Sequence, residues 1–179
     1  MSLFLATLIF GLVLVALGAA LVSNRPAVVA SIKTLPRSPT AAMFLFGGAA
    51  VWFLYRVWNL PNADFGEYHV LLTLGFAAVA GLAFKCVPDF LAVRGLCALV
   101  LLSAAPLIGA AYMHYDRPLR LLMVTPVYLL IAAAIWLGVQ PYRLRDFFNW
   151  LFLRSTRSRG VGGAVLAYGL LVAAVAFTY

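Results

Sequence analysis

Acidic side chains are scarce in this sequence: five Asp and Glu stand against 13 Lys and Arg in 179 residues. Charged residues of both signs make up only 10% of the chain, and hydrophobic residues 65%. A soluble domain carries about 25% charged and about 45–50% apolar residues. The shortage of charge excludes an ordinary soluble globule, because much of a globule's surface stays in water and must be covered. Cysteine is nearly absent as well. Cys86 and Cys97 form no CxxC pair and have no His at metal spacing, which excludes a disulfide framework or zinc module and leaves them as small buried apolar residues. There is no HExxH helix, no glycine-rich phosphate loop, no nucleophile elbow and no filter-like loop. No ionisable residue falls near the centre of an apolar run, where proton pumps, ion-coupled carriers and voltage sensors need one.

What is present is apolar sequence in long pieces, with a mean hydropathy of +1.04. A spanning helix needs about 20 mostly apolar residues. Six segments qualify: Leu3–Val22, Thr40–Val57, Tyr68–Phe84, Gly95–Tyr112, Leu119–Val139 and Val161–Thr178. The breaks between them carry turn chemistry, as in Asn24-Arg25-Pro26, Leu60-Pro61-Asn62 and Asp116-Arg117-Pro118. Continuous Ala-, Leu- and Gly-rich runs are helical; a membrane barrel would alternate over about ten residues. The expected fold is therefore all-α, a polytopic transmembrane helical bundle of six spans forming a single transmembrane domain over 1–179. The first segment has no Lys or Arg ahead of it and is longer than a signal h-region of about 7–15 residues, so it reads as a retained span.

The net charge of +8 fits basic loops beside membrane spans better than nucleic acid, because no aromatic–basic platform accompanies it. The first, third and fifth loops hold ten of the 13 Lys and Arg. The second and fourth hold Arg56, Arg117 and Arg120. The positive-inside rule then places the odd loops in the cytoplasm and both termini on the outer side. Trp52, Tyr55, Trp58, Tyr68, Tyr112, Tyr115 and Tyr179 stand at span ends, where amphipathic rings favour the headgroup layer. The expected setting is a bacterial inner (cytoplasmic) membrane.

Four features are candidates for function. The segment 143–154 is expected to form an amphipathic cytoplasmic helix, with Leu144, Phe147, Phe148, Leu151 and Phe152 on one stripe. Arg143, Arg145, Arg154, Arg157 and Arg159 are its expected lipid-headgroup contacts. On the outer side, Asp64, Glu67, His69, His114, Asp116 and Arg117 form a candidate His/carboxylate set, although Glu67 and His69, two apart, share no helical face and no metal motif is formed. Pro106 and Pro126 sit at similar depth in the fourth and fifth spans, each removing a helical hydrogen bond. Ser103 and Thr125 are placed to satisfy freed carbonyls, and Tyr112, Met113 and Tyr128 to line a pocket there. Finally, small residues recur four apart at Ala16/Ala20, Ala77/Gly81, Ala105/Gly109, Gly163/Ala167 and Gly169/Ala173, which favours close helix packing. A weak hairpin repeat pairs Arg37 and Tyr55 with Arg94 and Tyr112.

These features frame three readings. The first is a non-catalytic scaffold, assembly factor or small subunit whose partners are membrane lipids and other membrane chains or itself. The second is a small oligomeric transporter of a neutral or lipidic solute. The third is a membrane enzyme using the outer His/carboxylate set. No cofactor and no metal is expected.

Overall fold

The computed structural model describes residues 1–61 and 64–179, so Asn62 of the second break lies outside the described residues. The chain is all-α. Among the described residues eight α-helices follow one another: α1 (Leu3–Ser23), α2 (Pro26–Thr34), α3 (Pro39–Trp58), α4 (His69–Cys86), α5 (Leu91–Ala111), α6 (Leu121–Val139), α7 (Tyr142–Leu151) and α8 (Ser155–Ala176). Six of them, with short 3-10 turns leading into α4 and α6, are long and apolar enough to cross a membrane, which fits an integral membrane protein. They coincide with the six expected runs. The largest boundary difference is at α8, which starts at Ser155 rather than Val161. Hydropathy begins where the arginines stop. The helix begins where the backbone turns, after the extended Arg154 at φ −134° and ψ 127°, so Arg157 and Arg159 stand on the helix itself.

The local signals for the ends are ordinary. Ser2 and Ser38 accept hydrogen bonds from the amides of Leu5 and Ala41, capping α1 and α3. Asn24 closes α1 in the left-handed region at φ 43°. Helix α2 has no counterpart among the expected segments. Pro26 at its first position and the half-buried Val28, Val29 and Ile32 on one side are the signal for it.

The chain divides into two compact units. Unit 1 comprises 1–33, 103–133 and 145–179; unit 2 comprises 34–102 and 134–144. Unit 1 is organised by α1 and α8, which run antiparallel in backbone contact. A Cβ added at Gly11 would lie 2.7 Å from the Ala173 amide nitrogen, and one at Gly18 2.5 Å from that of Leu166. From the other helix, a Cβ at Gly162 would lie 2.8 Å from the Val22 nitrogen, and one at Gly169 2.7 Å from that of Val15. The glycines thus repeat seven residues apart on both helices, not four. Of the expected four-residue pairs, Gly169/Ala173 is used here, while Gly81, Gly109 and Gly163 point their missing Cβ into open space. At one end the fully buried Ser158 shares its hydroxyl between Asn24 Oδ1 at 3.2 Å and its own Ser155 carbonyl at 3.1 Å, tying the end of α1 to the start of α8. At the other end Leu3, Ala6 and Phe10 join Met123, Val127 and Val172 in a common core.

Unit 2 contains α3, α4 and the first half of α5. It is tight at one end, where Ala42, Leu91 and Ala92 cluster with Ala83 and Phe46. There the Gly95 position faces the Phe46 backbone with no room for a side chain, and the Arg37 guanidinium lies 5.2 Å from the Phe90 ring centre. Edge-on ring pairs Phe46–Phe84 and Phe53–Phe76 join α3 to α4. Yet α4 has no buried residue along its length. Cys97 is buried as expected, but Cys86 is exposed, because it falls at the C-terminal end of that sparsely packed helix.

Candidate functional site

The residues of the candidate His/carboxylate set fall into both units. In unit 2, His69 opens α4. Its Nδ1 lies 2.6 Å from the Gly66 carbonyl, and its ring meets Trp58 edge-on at 4.9 Å. Glu67 is exposed. Asp64 is also exposed and borders a cavity of about 720 Å³ together with Arg56, Tyr55 and Asn59.

In unit 1, His114, Asp116 and Arg117 border a smaller cavity of about 290 Å³ with Ser2, Phe4 and Tyr179. Arg117 is engaged by its own chain. Its Nε is 3.6 Å from Asp116, its Nη1 donates to the Tyr179 carbonyl at 2.5 Å, and its guanidinium lies 5.6 Å from the Tyr179 ring centre. Arg120 donates to the last carbonyl of α5, that of Ala111, at 2.8 Å, and sits 4.5 Å from the Tyr115 ring centre. Both arginines thus donate to backbone carbonyls, and Arg120 satisfies one that the end of α5 leaves unpaired. The Tyr179 hydroxyl is buried without a hydrogen-bond partner. Burial pushes its phenol above the usual range, and Thr7 and Arg117 ease that shift. The Thr7 hydroxyl itself donates to Met123 Sδ at 3.6 Å. Among the described residues, no three His, Cys, Asp or Glu side chains gather where they could hold a metal ion.

The prolines lie inside α5 and α6. Pro126 has no amide hydrogen for the Leu122 carbonyl four residues earlier. The Tyr168 hydroxyl of α8 takes its place, donating to that carbonyl at 2.7 Å. The compensation comes from another helix rather than from the neighbouring Thr125. Beside it lies an apolar crevice of about 470 Å³ between α6 and the α1–α8 pair, lined by Phe10, Leu14, Pro126, Leu130, Ala164 and Tyr168 among others. Tyr112, Met113 and Tyr128 are exposed, and Tyr112 borders a separate cavity of about 170 Å³ with Ile108 and Arg120.

The basic segment has two faces. In α7, Leu144 and Leu151 are buried and Phe148 is half-buried, as the expected stripe requires. Phe147 turns the other way: it is exposed and stacks on exposed Trp150, centroids 6.0 Å apart. Arg143 reaches Gln140 Oε1 at 3.1 Å and lies 5.6 Å from the Trp136 ring centre. Arg145 is paired with Asp146 at 2.8 Å. Arg157 sits 5.0 Å from the Trp150 ring centre, and Lys33 of α2 sits 6.0 Å from that of Phe152. The Lys33 contact depends on α2, and so is as absent from the expected features as that helix is. Arg154 and Arg159 are exposed.

Comparison of the chain with protein-family models, with curated proteins and with solved structures finds no match.

Proposed function

We propose that this chain is a non-catalytic inner-membrane protein that works by packing against other membrane chains, as a scaffold, assembly factor or small subunit. In this reading all six long helices span, the odd loops and α7 are cytoplasmic, and both ends of the chain face outward. The bias of ten of 13 Lys and Arg to the odd loops supports the orientation.

The observation that carries the packing reading is the set of open glycines on the α3–α4 hairpin. Within unit 1, Gly11, Gly18, Gly162 and Gly169 are each met by the facing helix, while Gly109, Gly160 and Gly163 stand open. In unit 2, Gly47, Gly48, Gly75 and Gly81 have nothing within 4 Å of the place where a Cβ would stand, and α4 buries no residue. A glycine inside a helix costs about 0.8–1.0 kcal/mol relative to Ala. In a membrane, small residues offset that cost by letting another helix come close. The α3–α4 hairpin makes no such use of them within the chain, and a second protein would.

The test is mild detergent extraction from native membranes, followed by sizing and identification of co-eluting chains. The reading expects defined partners in fixed ratio, lost in Gly48→Leu with no fall in the amount of folded protein. A chain that elutes alone, or whose assembly ignores Gly48→Leu, overturns it. The crevice at Pro126 favours a second reading, a carrier of an apolar or lipidic solute. That reading requires solute-dependent uptake into proteoliposomes.

A further inference from the structure

The crevice between α6 and the α1–α8 pair and the basic end of unit 1 lie on one face of α8. Arg157, Val161, Ala164 and Tyr168 follow at i, i+4, i+7 and i+11, a single helical stripe. Ala164 and Tyr168 line the crevice. At about 1.5 Å per residue they stand roughly 10 and 17 Å along the axis from Arg157. Half of a hydrocarbon core is about 15 Å thick. A group held at Arg157 at the membrane surface therefore has a chain's length of apolar wall beneath it.

The two ends of that stripe differ in chemistry. The crevice offers no free polar atom from Tyr168, whose hydroxyl is committed to the Leu122 carbonyl at 2.7 Å. A polar solute entering it would lose its water without gaining a partner. The crevice, about 470 Å³, is open along the surface of unit 1, so an acyl chain can enter it from the side.

The basic end has the opposite character. Arg25, Lys33, Arg154, Arg157 and Arg159 lie in the parts of unit 1 that meet there. The one carboxylate among those segments, Asp146, is bound by Arg145 at 2.8 Å. The corner is held in place by the Ser158–Asn24 hydrogen bond. Arg157 is fixed against Trp150, which is itself 47% exposed, as is expected of a ring at the headgroup layer.

We propose that unit 1 binds one anionic phospholipid, its phosphate on the Arg154–Arg159 corner and an acyl chain along α8 in the crevice beside Pro126. Charge complementarity selects the headgroup, and the apolar crevice selects the tail. The site is independent of whether the chain acts as a subunit or as a carrier.

The full chain, reconstituted in nanodiscs of equal phosphatidylglycerol and phosphatidylcholine with identical acyl chains, is released and its retained lipids counted by native mass spectrometry. One phosphatidylglycerol per chain is expected, in clear excess over phosphatidylcholine. A basic residue near a membrane surface contributes about 1 kcal/mol toward an anionic lipid, about fivefold. Arg157→Gln should therefore lower the preference about fivefold, and Ala164→Phe, which fills the crevice, should lower retention of both lipids and leave their ratio unchanged. Equal retention of the two lipids by the native chain overturns the proposal without recourse to any variant. So does retention that ignores both substitutions. Displacement of phosphatidylglycerol by millimolar glycerol phosphate would assign the corner to free phosphate and overturn the lipid site.

Discussion

Replacing Gly18 by Ala should weaken the α1–α8 pair, whereas replacing Gly47 by Ala should not weaken the fold. A Cβ at Gly18 would stand 2.5 Å from the Leu166 nitrogen and 2.7 Å from its Cα. Those are backbone atoms and cannot swing aside. Non-bonded carbons rest at about 3.5–4.0 Å, so the helices must part locally by about 1 Å, a gap that forfeits a quarter to a half of the dispersion attraction of the facing atoms. Overpacking of this kind costs about 1–3 kcal/mol. Both substitutions also gain about 0.8–1.0 kcal/mol of helix propensity. That gain cancels when the variants are compared, so Gly18→Ala should be about 1–3 kcal/mol less stable than Gly47→Ala. Equilibrium unfolding in mixed micelles, read by circular dichroism against the fraction of denaturing detergent, measures the difference. If the two variants agree within about 0.5 kcal/mol, the close approach at Gly18 is not a feature of the folded protein.

Two tyrosines should respond oppositely to loss of the hydroxyl. Tyr168→Phe leaves the Leu122 carbonyl unpaired beside Pro126 and should destabilise by about 1–2 kcal/mol, whereas Tyr179→Phe removes a buried hydroxyl with no partner and should be neutral or slightly stabilising. The same unfolding assay tests both, and equal losses would refute the distinction. Arg120→Gln should cost about 1 kcal/mol by uncapping the Ala111 carbonyl and leaving Tyr115 unstacked, with faster amide exchange at the end of α5; unchanged exchange there would count against the cap. The orientation predicts that Cys86, exposed near Lys85, reacts with a membrane-impermeant maleimide in inverted vesicles and not in intact spheroplasts, with buried Cys97 silent in both. The opposite pattern would reverse the topology.

The six long helices are legible in the sequence because apolar length is a property of each segment alone. Leu3–Ser23 and Leu121–Val139 can be read to within two residues for that reason. What is not legible depends on other segments. The α1–α8 contact uses Gly11, Gly18, Gly162 and Gly169, and in a chain with 14 glycines nothing local separates these from the eight that are not in contact. Proximity in sequence suggests Thr125 as the group that compensates Pro126, yet the carbonyl it frees is met by Tyr168, 46 residues from Leu122. Arg145 reads as free for headgroups, and in the folded chain Asp146 lies against it. In each case the sequence supplies the residue type, and tertiary pairing decides what the residue is available to do.

Exposure has a different meaning in this chain than in a soluble protein, and that changes what the bare α4 implies. Lipid tails are as apolar as Leu, so exposed Leu71, Leu74 and Val79 carry no penalty in a bilayer, and burying them would bring no hydrophobic gain. The exposed apolar area of α4 therefore does not point to a partner. The residues that lipid does not reward are the ones that bear on it. Gly75 and Gly81 give up helix propensity without filling space, and lipid gains nothing from a missing Cβ. Large side chains would serve a lipid-facing helix better, as they do at Phe44 and Val51 on α3. Glycine is useful where backbones must meet, and unit 1 uses it that way at four positions in one interface. The open glycines of α3 and α4 are thus the feature of unit 2 on which the proposal of a partner rests.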